Sequence, residues 1–248
     1  MHNLIHIKTL TDLNKMAGMG KPGHPLIGIY RHDPSQKPLE DFSNVKVTSD
    51  MYFVSMKDGI KGTFKYGRNT YDFDEGALIF IAPGQVYSIE RVEAEEDNDG
   101  WMLIFHPDLI RKSNLGKTID EYSFFSYDVN EALHLSDKEK QTINDLVKKI
   151  EEEIDQNIDR HTQNLVISNL ELLLNYCTRY YDRQFYTRTN FNKDIVSKFE
   201  DFLKTYFKGE EQIEHGIPSV KFCAEQMNMS ANYLSDMLKK ETGRNTLD

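Results

Sequence analysis

The segment NMSANYLSDMLKKETG, from Asn228 to Gly243, carries a set of side chains suited to reading base edges. Asn232 has an amide that can pair bidentately with adenine, Asp236 can accept from cytosine N4, and the hydroxyl of Ser235 can donate or accept. Lys239, with Lys240 beside it, can neutralise a backbone phosphate. The unpaired N–H groups that follow a helix cap at Ser230 can bind a second phosphate. Ser230, Ala231, Asn232, Ser235, Asp236 and Lys239 therefore form the candidate DNA-binding set, provided that their helix enters the major groove, with Ala231, Asn232, Ser235 and Asp236 as its N-terminal outward residues and Lys239 one turn later.

The elements that would position this set are legible nearby. Pro218 suits a first helical turn, where its missing N–H is no loss. Val220, Cys223, Ala224 and Met227 then give an apolar helical face, and Ala224 is small enough for a crossing helix to come close. Asn228 tolerates the left-handed backbone of a tight turn, and Met229 plugs the corner. Ser230 caps the next helix, Leu234, Met237 and Leu238 face inward, and Thr242-Gly243 end it. The pattern is a helix-turn-helix. A helical hairpin that only packs is the other reading of the same residues.

From Ser219 to Gly243 the chain closely resembles the first helix-turn-helix of the AraC family of bacterial transcription regulators. Ala224, Ser230, Tyr233-Leu234, Leu238-Lys239-Lys240 and Thr242-Gly243 stand at that family's spacing, and the stretch from Asn192 to Phe207 fits the helix leading into its DNA-binding domain. The resemblance implies a cupin-like β-barrel sensor, then helices that dimerise, then a DNA reader in which residues at the places of Asn232, Ser235 and Asp236 face bases. It also implies a small-molecule effector, with sugars among the precedented classes. An acid at Asp236, where basic residues also occur in the family, weakens phosphate attraction. Family members continue through a connecting helix into a second helix-turn-helix. Arg244 to Asp248 reads as the approach to that helix, so the expectation is a chain truncated after its first helix-turn-helix.

Glycine, proline and periodicity divide the 248 residues in the same order. Upstream, the runs MYFVSM, GTFKYG, NTYDF, ALIFIAP, VYSIERV and WMLIFH alternate with glycine-containing turns, which predicts an antiparallel sandwich or barrel. KGTFKYG and NTYDFDEG read as a hairpin through Gly67-Arg68-Asn69. The acidic run Glu90 to Asp99 reads as a surface loop. No glycine or proline occurs from 117 to 208. There, Ser136 with Glu139 forms a capping box, followed by a stripe of Ile143, Leu146, Val147, Ile150, Ile154 and Ile158. A second helix from about Thr162 carries Leu165, Val166, Leu170, Leu172, Leu173, Leu174, Tyr176 and Cys177, a band too wide for one neighbour. Cover by a second protomer and cover by the sheet region remain equal readings. The expected fold class is α+β: residues 1–130 a cupin-like antiparallel β-barrel sensor, 131–188 a helical dimerisation segment giving a homodimer through 136–184, and 189–248 a partial DNA-binding domain.

Composition limits the alternatives. The net charge of −10 departs from the basic excess usual for nucleic-acid binders, and half of it sits in Glu90 to Asp99. From Ile195 onward, seven Lys or Arg meet nine Asp or Glu, so affinity for DNA must come from local geometry or a second unit. No run approaches the roughly 18 apolar residues of a membrane span, and two distant cysteines, Cys177 and Cys223, suit a reducing compartment, so a cytoplasmic protein is expected. The eight histidines are scattered, and the metal-binding cupin pattern is missing: KGTFKYGRNTYDFDEG holds no histidine, and Tyr87 stands where the second signature of that pattern has one. No nucleophile elbow or phosphate loop occurs. The expectation is no enzyme, no metal and no cofactor.

A barrel mouth could still take a ligand. Tyr52, Phe53, Phe64, Tyr66, Tyr71, Phe73, Trp101 and Phe105 are the aromatic candidates and Arg31, His32 and Arg68 the polar ones, with core or surface positions the commoner fate of each. The reading is thus a ligand-responsive, sequence-specific DNA-binding transcription regulator. A dimerising small-molecule sensor or interaction module that does not bind DNA is the alternative.

Overall fold

Short β-branched and aromatic runs form strands where the sequence alternates or is continuously apolar. The structure, a computed structural model, describes residues 4–31, 45–57, 60–66, 69–72, 76–94, 100–128, 131–157, 159–187, 189–209, 212–213 and 216–244. Ten strands are described: β1 (Leu4–Ile7), β2 (Ile27–Arg31), β3 (Lys46–Ser49), β4 (Tyr52–Lys57), β5 (Ile60–Tyr66), β6 (Asn69–Asp72), β7 (Ala77–Ile81), β8 (Val86–Ala94), β9 (Trp101–Phe105) and β10 (Leu133–His134). They make two five-stranded sheets, ordered β1-β3-β8-β5-β6 and β10-β7-β4-β9-β2. The expected hairpin pairs β5 with β6 in the register Tyr66↔Asn69, with Gly67-Arg68 outside the described residues.

Two expectations change here. The described strands form two sheets with separate edges and, among the described residues, no closed barrel, and β1 pairs with β3 in parallel, so the sheets are not wholly antiparallel. The acidic run from Glu90 is strand as far as Ala94, because β5 pairs with β8 along that length. Residues 95–99 lie outside the described residues. The strands and helices of the N-terminal 50 residues, including α1 (Leu10–Met16) with its Thr9–Asp12 capping box, had no counterpart in the sequence reading.

One sheet lies against the other, and the second carries helices on its far face. Ile7, Val47 and Tyr87 of the first sheet meet Phe53, Ile79, Ile81 and Ile104 of the second in one buried cluster. The opposite face of the second sheet supplies Val54, Met56, Leu78, Phe80, Leu103 and Phe105 to a larger cluster that continues into the helices. ALIFI of β7 is buried at every position because it has apolar cover on both faces, which accounts for its unbroken run. The short helices α2 (Pro107–Ile110) and α3 (Leu115–Thr118), followed by 3₁₀ turns at Ile119–Glu121 and Ser123–Ser126, bring Phe124 and Phe125 onto Phe80.

The long helices follow their stripes. In α4 (Asp137–Asp155), Glu139 accepts the Ser136 N–H at 2.9 Å, and Ile143, Leu146, Val147 and Ile150 are buried; Ile158 lies outside the described residues. In α5 (Thr162–Thr187), Val166, Leu170, Leu173, Leu174 and Cys177 are buried in the larger cluster with residues of α4 and the second sheet. The chain's own packing thus covers most of the wide band, while Leu165 and Leu172 stay 46% exposed. α6 (Thr189–Lys208), α7 (Val220–Met227) and α8 (Ala231–Thr242) follow in the chain. Among the described residues no helix is long and apolar enough to cross a membrane.

Candidate nucleic-acid interface

The predicted helix-turn-helix is formed by α7 and α8, and each local signal has its geometric counterpart. Ser219 caps α7 by accepting the Phe222 N–H at 3.1 Å, which places Pro218 one residue before the cap and not in the first turn. Asn228 is the only described non-glycine residue with positive φ, at φ 55° and ψ 45°. That conformation lets the Met229 N–H reach the Ala224 carbonyl at 3.0 Å, closing the end of α7. Ser230 accepts the Tyr233 N–H at 3.2 Å, and Gly243, at φ 72°, ends α8. Cys223 and Ala224 of α7 pack with Leu234, Met237 and Leu238 of α8, all buried.

The six candidate residues divide between two faces of α8. Asn232 and Lys239 are exposed and Ser235 is half-buried, forming an outward stripe at helical spacing. Ala231 packs against the core, whereas Ser230 and Asp236 turn toward the body of the chain. Ser230 donates its backbone N–H to Glu131 Oε1 at 2.7 Å and its hydroxyl to Glu131 Oε2. Asp236 Oδ2 accepts the Tyr127 hydroxyl at 2.6 Å. Lys240 pairs with Asp182 of α5 at 2.8 Å, and Glu241 accepts from Asn192 of α6 at 2.9 Å.

Aromatic packing accompanies these bonds. Tyr127 stands edge-on to both Tyr181 and Tyr233, each with ring centroids 5.2 Å apart, and Phe185 lies 5.1 Å from Tyr233. A cleft of about 120 Å³ opens beside them, lined in part by Tyr122, Tyr127, Tyr181, Asp182, Asp236 and Lys240.

Burial sets the electrostatics of this contact. Glu131 is 5% exposed, and removal from water raises its carboxyl to about 7, while hydrogen bonds from Ser230 and from the Asp128 N–H work in the opposite sense. Burial first, and then the neighbouring Asp236 carboxylate, push the Tyr127 phenol well above its ordinary value. The sequence reading missed Tyr127, Glu131 and Asp182. No spacing rule links them to α8, because Glu131 and Ser230 are 99 positions apart and Tyr127 and Asp236 are 109 apart.

The candidate ligand residues fall elsewhere. Phe53, Trp101 and Phe105 are buried core, Tyr52 stacks on Phe105 at 4.9 Å, and Trp101 Nε1 donates to Asn144. Arg31 pairs with Glu151 at 3.1 Å. His32 and Arg68, and the side chains of Phe64, Tyr66, Tyr71 and Phe73, lie outside the described residues. Among the described residues no cluster of three metal-binding side chains occurs, and Cys177 and Cys223 are buried and unbridged.

No family model matches the chain, and no curated protein matches it in sequence. Several solved structures are similar at low level, two AraC-like regulators among them. The AraC-like transcriptional activator CuxR aligns with TM-score 0.35 and 10% identity over 77% of this chain, which spans 61% of the length of CuxR. An apo ToxT variant from Vibrio cholerae aligns with TM-score 0.36 and 9% identity, covering 89% of this chain and 94% of ToxT. Likeness at these scores assigns no property to this chain.

Proposed function

We propose that the protein is a sequence-specific DNA-binding transcription regulator that reads the major groove with α8. One observation carries this reading: α7 and α8 are joined through a left-handed Asn228, with a serine cap, and an outward stripe runs along the second helix from Asn232 and Ser235 in its first turns to Lys239 in its last. The residue-level resemblance to the AraC family supports it, and with it the division into a sensor region at 1–130, a helical segment at 131–188 and a DNA-reading unit at 189–248. Leu165 and Leu172, exposed on α5, suit a homodimer contact within 136–184, which would supply the second reading unit that a chain of net charge −10 needs. A small-molecule effector acting through the two-sheet region, in the manner of a cupin-like sensor, completes the proposal.

Selection from a randomised duplex library at low salt tests the DNA reading. An enriched motif is expected, and Asn232→Ala should relax preference at one base by about 1–3 kcal/mol while leaving the other positions unchanged. Equal weakening on every sequence removes Asn232 from base readout. The second reading, an interaction module that does not bind DNA, is favoured by a different observation: Ser230 and Asp236 are already engaged within the chain.

A further inference from the structure

The cleft of about 120 Å³ between α5, α8 and the 3₁₀ turns lies apart from the two-sheet region, since none of its lining residues comes from a strand. Its floor is aromatic. Phe124, Tyr127, Tyr181 and Phe185 are all buried, with Tyr181 stacked on Phe124 at 5.5 Å and Tyr127 edge-on to Tyr181. Its rim is charged, and unequally so. Glu121, Asp182 and Asp236 bring three carboxylates, against the one ammonium group of Lys240. Asp182 already holds that ammonium at 2.8 Å. Asp236 Oδ2 takes only a neutral donor, the Tyr127 hydroxyl, and the exposed Glu121 has no cationic partner among the described residues. Two negative charges therefore face the cleft without a cation to match them.

Rings beside unmatched carboxylates select organic cations. An ammonium group within about 6 Å of a ring is drawn to its negative face, and the carboxylates add charge and hydrogen-bond acceptors. An anion would be repelled here, and a neutral chain would gain nothing from the rim. Burial, and then the carboxylates of Glu171 and Glu121, raise the phenol of Tyr122 at the cleft, which is the sign of the same negative field. The volume corresponds to about four waters, room for a short alkyl chain and too little for a sugar ring. We propose that this cleft is a binding site for a short aliphatic diamine. One ammonium group pairs with Asp236 and the other with Glu121, and the alkyl chain between them lies on Tyr127 and Tyr181. The site is independent of the DNA-reading function proposed above and is measured without DNA.

Titration calorimetry of the full chain at neutral pH and low salt tests the site with putrescine as the probe. Three molecules of similar length serve as comparisons: n-butylamine with one charge, the uncharged diol, and succinate with two negative charges. Putrescine is expected to bind saturably at one site, about tenfold more tightly than n-butylamine, while the diol and succinate give no binding heat. The double variant Glu121→Gln, Asp236→Asn removes both unmatched carboxylates and should weaken putrescine about tenfold or more. Glu152→Gln, Asp155→Asn removes two exposed carboxylates from α4 and should bind as wild type does. That control separates the cleft from the general pull of a chain of net charge −10 on cations.

Absence of saturable putrescine binding to wild type overturns the site. Equal weakening in the cleft variant and the α4 variant reduces the effect to net charge and overturns it as well. Butylamine bound as tightly as putrescine overturns the diamine assignment, because a single carboxylate would then suffice. Binding of succinate contradicts the sign of the field and overturns the proposal. If circular dichroism shows the double variant to be unfolded, the comparison moves to two substitutions at exposed positions of the cleft, Glu121→Gln and Thr178→Lys. The first removes one carboxylate and the second places a competing ammonium group on the rim, and each should weaken putrescine about threefold or more. Unchanged affinity in either overturns the site.

Discussion

The sheet core and the seat of α8 are both buried, yet they are held by different forces. Between and beneath the sheets, Val54, Met56, Leu78, Leu103, Phe105 and Ile104 have at most a trace of exposure, and the packing is apolar. Where α8 meets the body of the chain, aromatic edges are combined with a buried carboxylate, a phenol-to-carboxylate bond and a half-exposed ion pair. Apolar burial is non-directional and grows with area, so the core tolerates no partial opening without losing cover. A polar seat exchanges its bonds for water or for another partner at small net cost, provided that every group is satisfied in both states. The first region suits a permanent scaffold and the second a contact that can be released.

The comparison breaks most visibly if its apolar half is cut. Phe105→Ala, which removes a ring stacked on Tyr52, is expected to lower global stability by about 3–5 kcal/mol, seen as a fall in the denaturant midpoint with one transition for all probes. A loss below about 1 kcal/mol would mean that the sheet core is loosely packed.

The polar half should show itself as a pH dependence. Glu131 is raised from 4.5 to about 7, so between those values the folded chain holds a proton that the unfolded chain has released. Its contribution is fully present below about pH 4.5 and is lost as pH rises through about 7, a difference of at most about 3 kcal/mol across the window. The groups around it are Ser230 on α8, Tyr181 on α5, and Asp128 on its own segment, whose carboxyl is also raised. Subtracting the stability profile of Glu131→Gln from that of wild type isolates the effect. A flat difference between pH 4.5 and 7 would place Glu131 in water and remove it from the seat of α8.

The smallest effect sharpens the contrast at its rim. Lys240 and Asp182 are each half exposed, so Lys240→Ala should cost about 0.2–1 kcal/mol in thermal or denaturant unfolding, and less at high salt. A loss above about 2 kcal/mol would show the pair to be part of the buried seat.

Much of this architecture could be read from short stretches. Asn228 and Ser230 announced the turn and the cap because both effects act within a few residues, through one backbone well and one side-chain oxygen. The strand runs from Met51 to His106 coincide with β4 through β9 because alternation and turn residues are likewise local. Closure into a barrel was not legible, since it depends on how strand edges meet and not on the pattern within any strand. The surface half of α8 could be found by spacing, and Asn232, Ser235 and Lys239 do face outward.

By itself the sequence determined the helix-turn-helix, the two long helices before it and the central strands, because periodicity, capping and left-handed turns act within one or two turns of chain. Only the tertiary structure decided which face of α8 is free. That choice depends on Tyr127 and Glu131, about a hundred positions upstream, which acquire their role by being packed against α5 and brought within hydrogen-bond reach of Ser230 and Asp236. A carboxylate in a sequence is a solvated charge until folding excludes the water, and no local pattern records which one that will be.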